Sequence, residues 1–187
     1  MLFFVEWCDS DDYFGKISLE FQRKINKYRN QLGMPSLTCH WNLVQTAWVH
    51  TKNQLDYGRK YKLSGQGCDM HSWYGDVLSA PESKTAKKCC YNSNDKTTWP
   101  CMWKKPQEIA GWKDLGGDGN GFEISHGAND CPDCSNVSVD SAIEGWKGSP
   151  KHDDVMRGKG RWAKLTKIGC YFENTDANKW ANCWFSE

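Results

Sequence analysis

The sequence has no run approaching the roughly 20 apolar residues that a membrane-spanning helix needs. It also lacks a charge excess, with 24 Lys and Arg residues against 23 Asp and Glu residues. Its charge therefore favours neither nucleic acid nor an anionic membrane surface as a partner. The hydrolase patterns GxSxG and HExxH are both absent. We expect no membrane span, no nucleic-acid partner and a monomeric chain.

Cysteine, in contrast, is abundant, with ten residues in a chain of 187. This is too many for a reduced cytosolic enzyme, and their scattered spacing is not that of a metal cluster. Cys131-Pro132-Asp133-Cys134 has CxxC spacing, but no second such pair completes a zinc ribbon. The composition predicts up to five disulfides and a secreted protein, with the connectivity left open. Asn136-Val137-Ser138 is a matching glycosylation pattern.

The length suits one domain with a single core. Residues 1–16 show no periodicity and are predicted to form an N-terminal arm that Cys8 pins to the body. Apolar side chains then recur at helical spacing in residues 17–33, where Ser18 is a candidate N-cap, and again in residues 37–58. The second stretch carries His40 and His50, which we interpret as structural histidines.

Residues 60–121 are rich in Gly, Ser, Asn, Cys and Trp and predict long loops that disulfides hold in place. A short helix follows, with apolar residues from Val139 to Trp146, and Gly148 and Pro150 end it. A further turn or helix carries His152. Residues 163–171 and 179–185 predict an antiparallel hairpin. Helices, tied loops and a closing hairpin together predict an α+β domain.

Several ordered segments resemble the CAP superfamily, which includes cysteine-rich secretory proteins, plant pathogenesis-related class 1 proteins and venom allergens. Residues 146–152 resemble the family step in which a helix ending in Trp runs into Ser-Pro-x-His, and residues 168–170 and 182–185 resemble its final strands. Leu37, Trp41 and Ala47 resemble its early helix. Three motifs, HSW at 71–73, CMWxKPxEI at 101–109 and GxGxEI at 119–124, resemble a divergent branch of that family.

The resemblance covers residues 17–187 as a single CAP-like domain, with a Cys- and Trp-rich insertion at about 74–120. The fold it implies is an α-β-α sandwich with an antiparallel sheet of about three strands, open on one side to a cleft. It also implies secretion, and lipid or sterol binding is among the properties it suggests.

The family's cleft holds two histidines and two acidic residues, and three of these positions have matches here. The histidines match His71 and His152, and one glutamate matches Glu123, although Phe122 and Ile124 replace its usual Gly and Asn neighbours. The second glutamate is missing, because Lys147, Gly148 and Ser149 stand at its positions. Glu144 is no substitute, since it precedes Trp146 on another helical face.

Two imidazoles and a carboxylate in an open cleft can bind a divalent ion such as zinc. We therefore predict a metal site at His71, His152 and Glu123, with affinity falling below about pH 6.5, where histidines protonate. The alternative is a purely structural role, in which Glu123 accepts hydrogen bonds from an imidazole and orients the loops.

The function that these features favour is a secreted binding module for a metal ion and for a lipid or sterol, a glycan or a protein. A hydrolase is the first alternative, using a zinc-bound water or a hydroxyl of Ser72 or Ser149 activated by histidine, with Glu123 as base or orienter. Carbohydrate binding by Trp99, Trp103 and Trp112 is the second, because flat apolar faces suit sugar rings. We lean towards a protein without catalytic activity.

Overall fold

The structure is a computed structural model that describes residues 8, 12–58, 67–74, 77–79, 84–110, 119–129, 137–175 and 178–187. The helices are α1 (Tyr13–Gln31), α2 (Trp41–Gly58), α3 (Trp99–Trp103), α4 (Lys105–Ala110), α5 (Val139–Lys147) and α6 (Pro150–Met156). The strands are β1 (Thr38–Cys39), β2 (Val77–Ser79), β3 (Lys84–Ala86), β4 (Phe122–Asn129), β5 (Lys167–Thr175) and β6 (Asn178–Ser186). The predicted α+β class is confirmed.

The main sheet has the strand order β1-β5-β6-β4. β5 and β6 form the antiparallel hairpin that the sequence predicts, and β4 pairs antiparallel with the other edge of β6. β1 runs parallel to β5 for two residues. The first hairpin strand begins at Lys167 and not at residue 163, because the 3-10 turn at Gly160–Trp162 is followed by a further turn in which the Leu165 N–H donates to the Trp162 carbonyl.

Each face of this sheet packs against helices. On one face, α1, α5 and α6 contribute to a core that includes Phe21, Ile25, Trp146 and Phe185. On the other face, α2 and α4 contribute to a second core around Leu43, Ala47, Ile109 and Trp184. Because side chains alternate between the faces of a strand, neighbouring residues of β6 enter different cores. This layering agrees with the α-β-α architecture that the CAP resemblance implies.

The start of α1 differs from the sequence prediction. The helix begins at Tyr13, where Asp12 is the N-cap and its carboxylate accepts from the backbone N–H of Gly15 at 2.8 Å. Ser18 is instead buried within the helix, and its hydroxyl accepts from the backbone N–H of Cys170 at 3.1 Å. The prediction of Ser18 as N-cap was therefore wrong, and the predicted boundary of the arm at residue 16 falls inside α1.

Helix α2 ends at Gly58, as predicted, and approaches the sheet very closely at its start. A Cβ atom at Gly169 of β5 would lie 2.2 Å from the backbone nitrogen of Val44. Only glycine permits this contact, so Gly169 sets the distance between α2 and β5.

Four disulfides join cysteines of the described residues, which agrees with folding in an oxidising compartment. Cys8–Cys39 ties residue 8 to β1, as expected, and Cys170–Cys183 crosses the hairpin. Cys68–Cys90 joins the segments on either side of β2 and β3, and Cys89–Cys101 ties the segment that follows β3 to α3. The predictions for Trp112, Cys131, Cys134 and Asn136 lie outside the described residues. No described helix is both long enough and apolar enough to cross a membrane.

Candidate functional site

A cleft of about 260 Å³ lies where residues 67–74, the start of β4, and helices α3 and α6 meet. Its lining includes His71, Glu123 and His152, the three residues that the sequence analysis places in one site. They come from a turn, a strand and a helix that are far apart in the chain. We call this space the cleft.

Local hydrogen bonds fix the turn that carries His71. The Asp69 carboxylate accepts from the backbone N–H of His71 at 3.1 Å and from that of Ser93 at 2.8 Å. The Ser72 hydroxyl donates to the Tyr91 carbonyl at 3.2 Å and accepts from the Tyr91 N–H at 2.9 Å. The Cys68–Cys90 disulfide holds the same two segments together. The His71 imidazole is therefore carried by a turn that hydrogen bonds and a disulfide hold in one conformation.

Glu123 is the buried acid of the site, with a fully buried side chain, and Nδ1 of His71 donates to its Oε2. The Ser125 hydroxyl donates to Oε1 and also contacts Oδ1 of Asn182. The amide of Asn182 then donates to Thr51 on α2 at 2.8 Å. A continuous polar network thus connects the cleft to α2, on the face of the sheet that this helix covers.

A second imidazole, that of His50, lies beside Glu123 behind the cleft. Its Nδ1 is 3.6 Å from Oε1 of Glu123, and its ring stacks on Trp73 with centroids 4.3 Å apart. Complete burial, aided by the nearby charge of His71, lowers the pKa of His50 well below its usual value. His50 is therefore neutral beside Glu123, and its packing agrees with the structural role that we predict for it.

The pKa values of the His71 and Glu123 pair are coupled through their shared hydrogen bond. Burial disfavours the imidazolium form of His71, but the charge of Glu123 and its hydrogen bond outweigh burial, so the pKa of His71 is raised. Burial likewise raises the pKa of the Glu123 carboxyl, although His71 opposes that rise. Between the two apparent pKa values of the pair, one proton is shared by His71 and Glu123, and the net charge of the pair is zero.

His152 faces the pair from α6. Its ring centroid lies 5.9 Å from that of His71, with the two planes 74° apart. Burial, followed by the charges of His71 and His126, lowers the pKa of His152 to about 4. His126, on β4, packs against Gly145 of α5. The contact is so close that a Cβ atom at Gly145 would lie 2.7 Å from the imidazole ring. His152 therefore presents a neutral imidazole at physiological pH.

Histidine titrations provide a test of this geometry. In chelator-treated protein, the NMR signals of His152 should titrate near pH 4 and those of His71 above the ordinary value of about 6.5. In Glu123→Gln, the His71 midpoint should fall, because burial remains while the opposing carboxylate is removed. Midpoints near 6.5 for both residues in the wild type would contradict the described site.

Aromatic side chains form the other side of the cleft. We call Trp99, Trp103, Phe122 and Trp162 the aromatic wall. Their rings contact one another in series, with centroids 5.9 Å apart for Trp99 and Trp103 and 4.5 Å apart for Phe122 and Trp162. Trp99 and Trp103 are thus placed in the lining, as the carbohydrate alternative requires.

Neither serine of the hydrolase alternative is among the described residues that line the cleft. Ser72 is completely buried, and its hydroxyl is engaged by the backbone of Tyr91. Ser149 is the N-cap residue of α6. The described geometry therefore places neither hydroxyl to attack a molecule bound in the cleft.

The three predicted metal ligands line the same cleft, but their side chains are not arranged so that all three could bind one metal ion. Among the described residues, no three His, Cys, Asp or Glu side chains are grouped closely enough to hold a metal ion. The Glu123 carboxylate is engaged by His71 and Ser125. Such a carboxylate typically orients a ligating histidine from behind, without touching the metal itself. The donor set thus fits at most two histidine ligands, with Glu123 behind one of them.

Sequence reasoning missed Tyr91, Arg161 and Trp162, which also line the cleft. No helical or strand periodicity marks Arg161 and Trp162. The available signal was the pair Gly158 and Gly160, whose φ angles of 61° and 60° turn the chain back toward the site. A Gly-x-Gly step directly before Arg-Trp is a turn signal that places two large side chains on one surface.

Comparisons with known proteins add a likeness of fold. No protein-family model matches the chain, and no curated protein does. An outer surface protein from Borrelia burgdorferi matches with a TM-score of 0.50 at 15% identity, covering 90% of each chain. A cysteine-rich secretory protein from Staphylococcus aureus matches with a TM-score of 0.43 at 11% identity, covering 95% of this chain and 40% of the other. The first match shows a shared fold, and the second is too weak to carry the family assignment.

Proposed function

We propose that this protein is an extracellular binding module of CAP-like architecture whose ligand site is the cleft. The observation that carries this proposal is the combination of a buried His71 and Glu123 pair with the aromatic wall around one concave space. Concave, largely apolar sites with a few convergent polar groups are typical of small-molecule binding. The disulfides support an extracellular location.

The size of the cleft favours a small ligand. Its volume of about 260 Å³ lies below the roughly 300–1,000 Å³ of sites that take drug-sized molecules. A sterol or a long acyl chain would extend beyond it, whereas one or two small rings would fit. Among the ligand classes that the sequence analysis leaves open, the cleft therefore supports a glycan or another small polar molecule over a lipid.

A fragment screen followed by NMR tests this proposal. The tryptophan indole N–H signals and the histidine ring signals serve as probes, and a library of small ring compounds and mono- and disaccharides serves as the ligand set. Binding fragments should perturb Trp99, Trp103, Trp162 and His152 ahead of other probes. Fragments that perturb Trp41 and Trp180, which lie outside the cleft lining, and leave the cleft signals unchanged would contradict the proposal.

Zinc binding is a second proposal, which the two facing imidazoles support. His71 and His152 would hold the ion, and Glu123 would orient His71 through its hydrogen bond to Nδ1. The ion would supply a Lewis-acid position for an oxygen atom of a ligand. With so few protein ligands, the affinity should be modest.

Calorimetry with zinc separates this role from a structural one. His71→Ala and His152→Ala should each weaken zinc binding by about tenfold or more, since each removes one of two ligands. His40→Ala is the matched control, because His40 lies outside the cleft lining and should leave affinity unchanged. Equal zinc affinity in all four proteins would remove the metal proposal and leave the cleft proposal standing.

A further inference from the structure

Arg161 occupies an unusual position at the cleft. Its guanidinium carbon lies 4.2 Å from the ring centroid of Trp162, 5.0 Å from that of Trp99 and 5.4 Å from that of Trp103. The side chain is exposed, and it forms no ion pair with any carboxylate of the described residues. Three indoles thus hold a cationic fork in place at the lining, which reduces the entropy that it would lose on binding an anion.

The remaining charges of the cleft also favour an anion. Lys151 lines the cleft, is exposed and likewise has no ion-pair partner among the described residues. Asp154 lies 3.4 Å from Lys159, which offsets its charge. A cationic ligand would be repelled by Arg161 and by Lys151. The electrostatic potential of the cleft therefore favours a negatively charged group.

The other contacts specify what should carry that negative group. Tyr91 and Phe122 line the cleft and offer ring surfaces that Arg161 does not cover, while Ser93 and His152 add polar groups to the same lining. A flat ring with apolar faces and polar edges matches this mixture, and the volume admits one or two such rings. We propose that the cleft binds an acidic saccharide, with the carboxylate of a sugar ring on Arg161 and Lys151. This inference rests on the cleft being the ligand site.

Titration by tryptophan fluorescence and NMR, with four probes, tests this proposal. The probes are a disaccharide containing glucuronic acid, its neutral glucose counterpart, acetate and benzoate. The acidic disaccharide should bind most tightly, by about tenfold over the neutral sugar, because it adds a charge-assisted bidentate hydrogen bond. Its affinity should fall with added salt, since exposed charges are screened.

Two substitutions at Arg161 and one control complete the design. Arg161→Gln should reduce affinity for the acidic disaccharide by about tenfold and affinity for the neutral sugar by much less, because only the acidic sugar loses a charge-assisted hydrogen bond. Arg161→Lys should recover only part of the loss, because lysine keeps the charge and lacks the planar fork. Lys164→Gln removes an exposed positive charge three residues along the chain, outside the cleft lining, and should change neither affinity.

Equal binding of the acidic and neutral sugars, or tighter binding of acetate or benzoate, would overturn the acidic-saccharide proposal. So would the absence of saccharide binding while ring fragments still perturb the cleft signals, and in that case the binding-module proposal survives. If neither saccharides nor fragments perturb the cleft, both proposals fail together. The three outcomes are distinguishable in one set of spectra.

Discussion

Replacing Trp146 with alanine should lower the free energy of unfolding by about 3–5 kcal/mol, one of the two largest effects that we expect from a single change. The indole is completely buried in the core beneath the sheet, with its ring centroid 5.7 Å from that of Phe21. Its Nε1 also donates to the backbone carbonyl of Ser125 at 2.9 Å. The change therefore creates a cavity and leaves a buried carbonyl without its donor.

The position of Ser125 gives this contact a role in the site as well. Ser125 lies two residues from Glu123 on β4, and its hydroxyl donates to that carboxylate. Loss of the Trp146 anchor should therefore loosen β4 next to the cleft, with broadened His71 signals as the observable result.

Chemical denaturation with the disulfides intact measures this effect, and two control variants frame it. Trp146→Phe keeps much of the volume and loses the donor, so its loss should be smaller, about 1–3 kcal/mol. Leu32→Ala changes a residue that is 42% exposed and should stay within about 0.5 kcal/mol of the wild type. A loss below about 1 kcal/mol for Trp146→Ala would show that α5 does not pack on the sheet as described.

Replacing Glu123 with alanine should cost a similar amount, about 3–5 kcal/mol, because it breaks a buried pair and leaves its partner behind. The Glu123 side chain is 0% exposed and that of His71 is 15% exposed, so solvent can replace little of the lost interaction. Glu123→Gln, which keeps the shape and can still accept from Ser125, should lose less. The size of the difference between the two variants reports how much of the cost comes from the carboxylate charge.

The loss in the free energy of unfolding that Glu123→Ala causes should also depend on pH, and the pKa of His71 gives the direction of this dependence. The raised pKa of His71 means that the folded state binds its proton more tightly than the unfolded state does. This contribution is fully present below the unfolded value of about 6.5 and disappears as pH rises through the folded value, provided that Glu123 is ionised. The difference in the free energy of unfolding between wild type and Glu123→Ala should therefore be larger near pH 6 than near pH 9. A difference that grows toward alkaline pH would contradict the described interaction between His71 and Glu123.

Much of the fold could be predicted from local patterns. The apolar spacing in α1, α2 and α5 and the two strands that flank residues 176 and 177 were visible in the sequence, because each buries one face within a short span. The start of α1 was predicted wrongly, since the hydroxyl of Ser18 packs against β5 and does not cap the helix, and this long-range contact leaves no mark on the local pattern. The parallel pairing of β1 with β5 likewise joins segments about 130 residues apart, which no local pattern encodes.

The candidate site was predictable where a motif carried it. His71, Glu123 and His152 were identified from the resemblance to the CAP superfamily, and they line one cleft. How they interact was not predictable, because the hydrogen bond between Glu123 and His71 depends on the conformation of the turn at 69–72 and on its position beside β4. Arg161 contacts Trp99 and Trp103, which lie about 60 residues earlier in the chain, so these two contacts depend on tertiary packing alone.

A crystal structure of the protein soaked with its strongest-binding fragment or saccharide tests the central claim most directly. We predict density for the ligand in the cleft, in contact with the aromatic wall, and with an oxygen within hydrogen-bond distance of Arg161 or His152. Density at another surface, with the cleft holding only solvent at saturating ligand, would contradict the account.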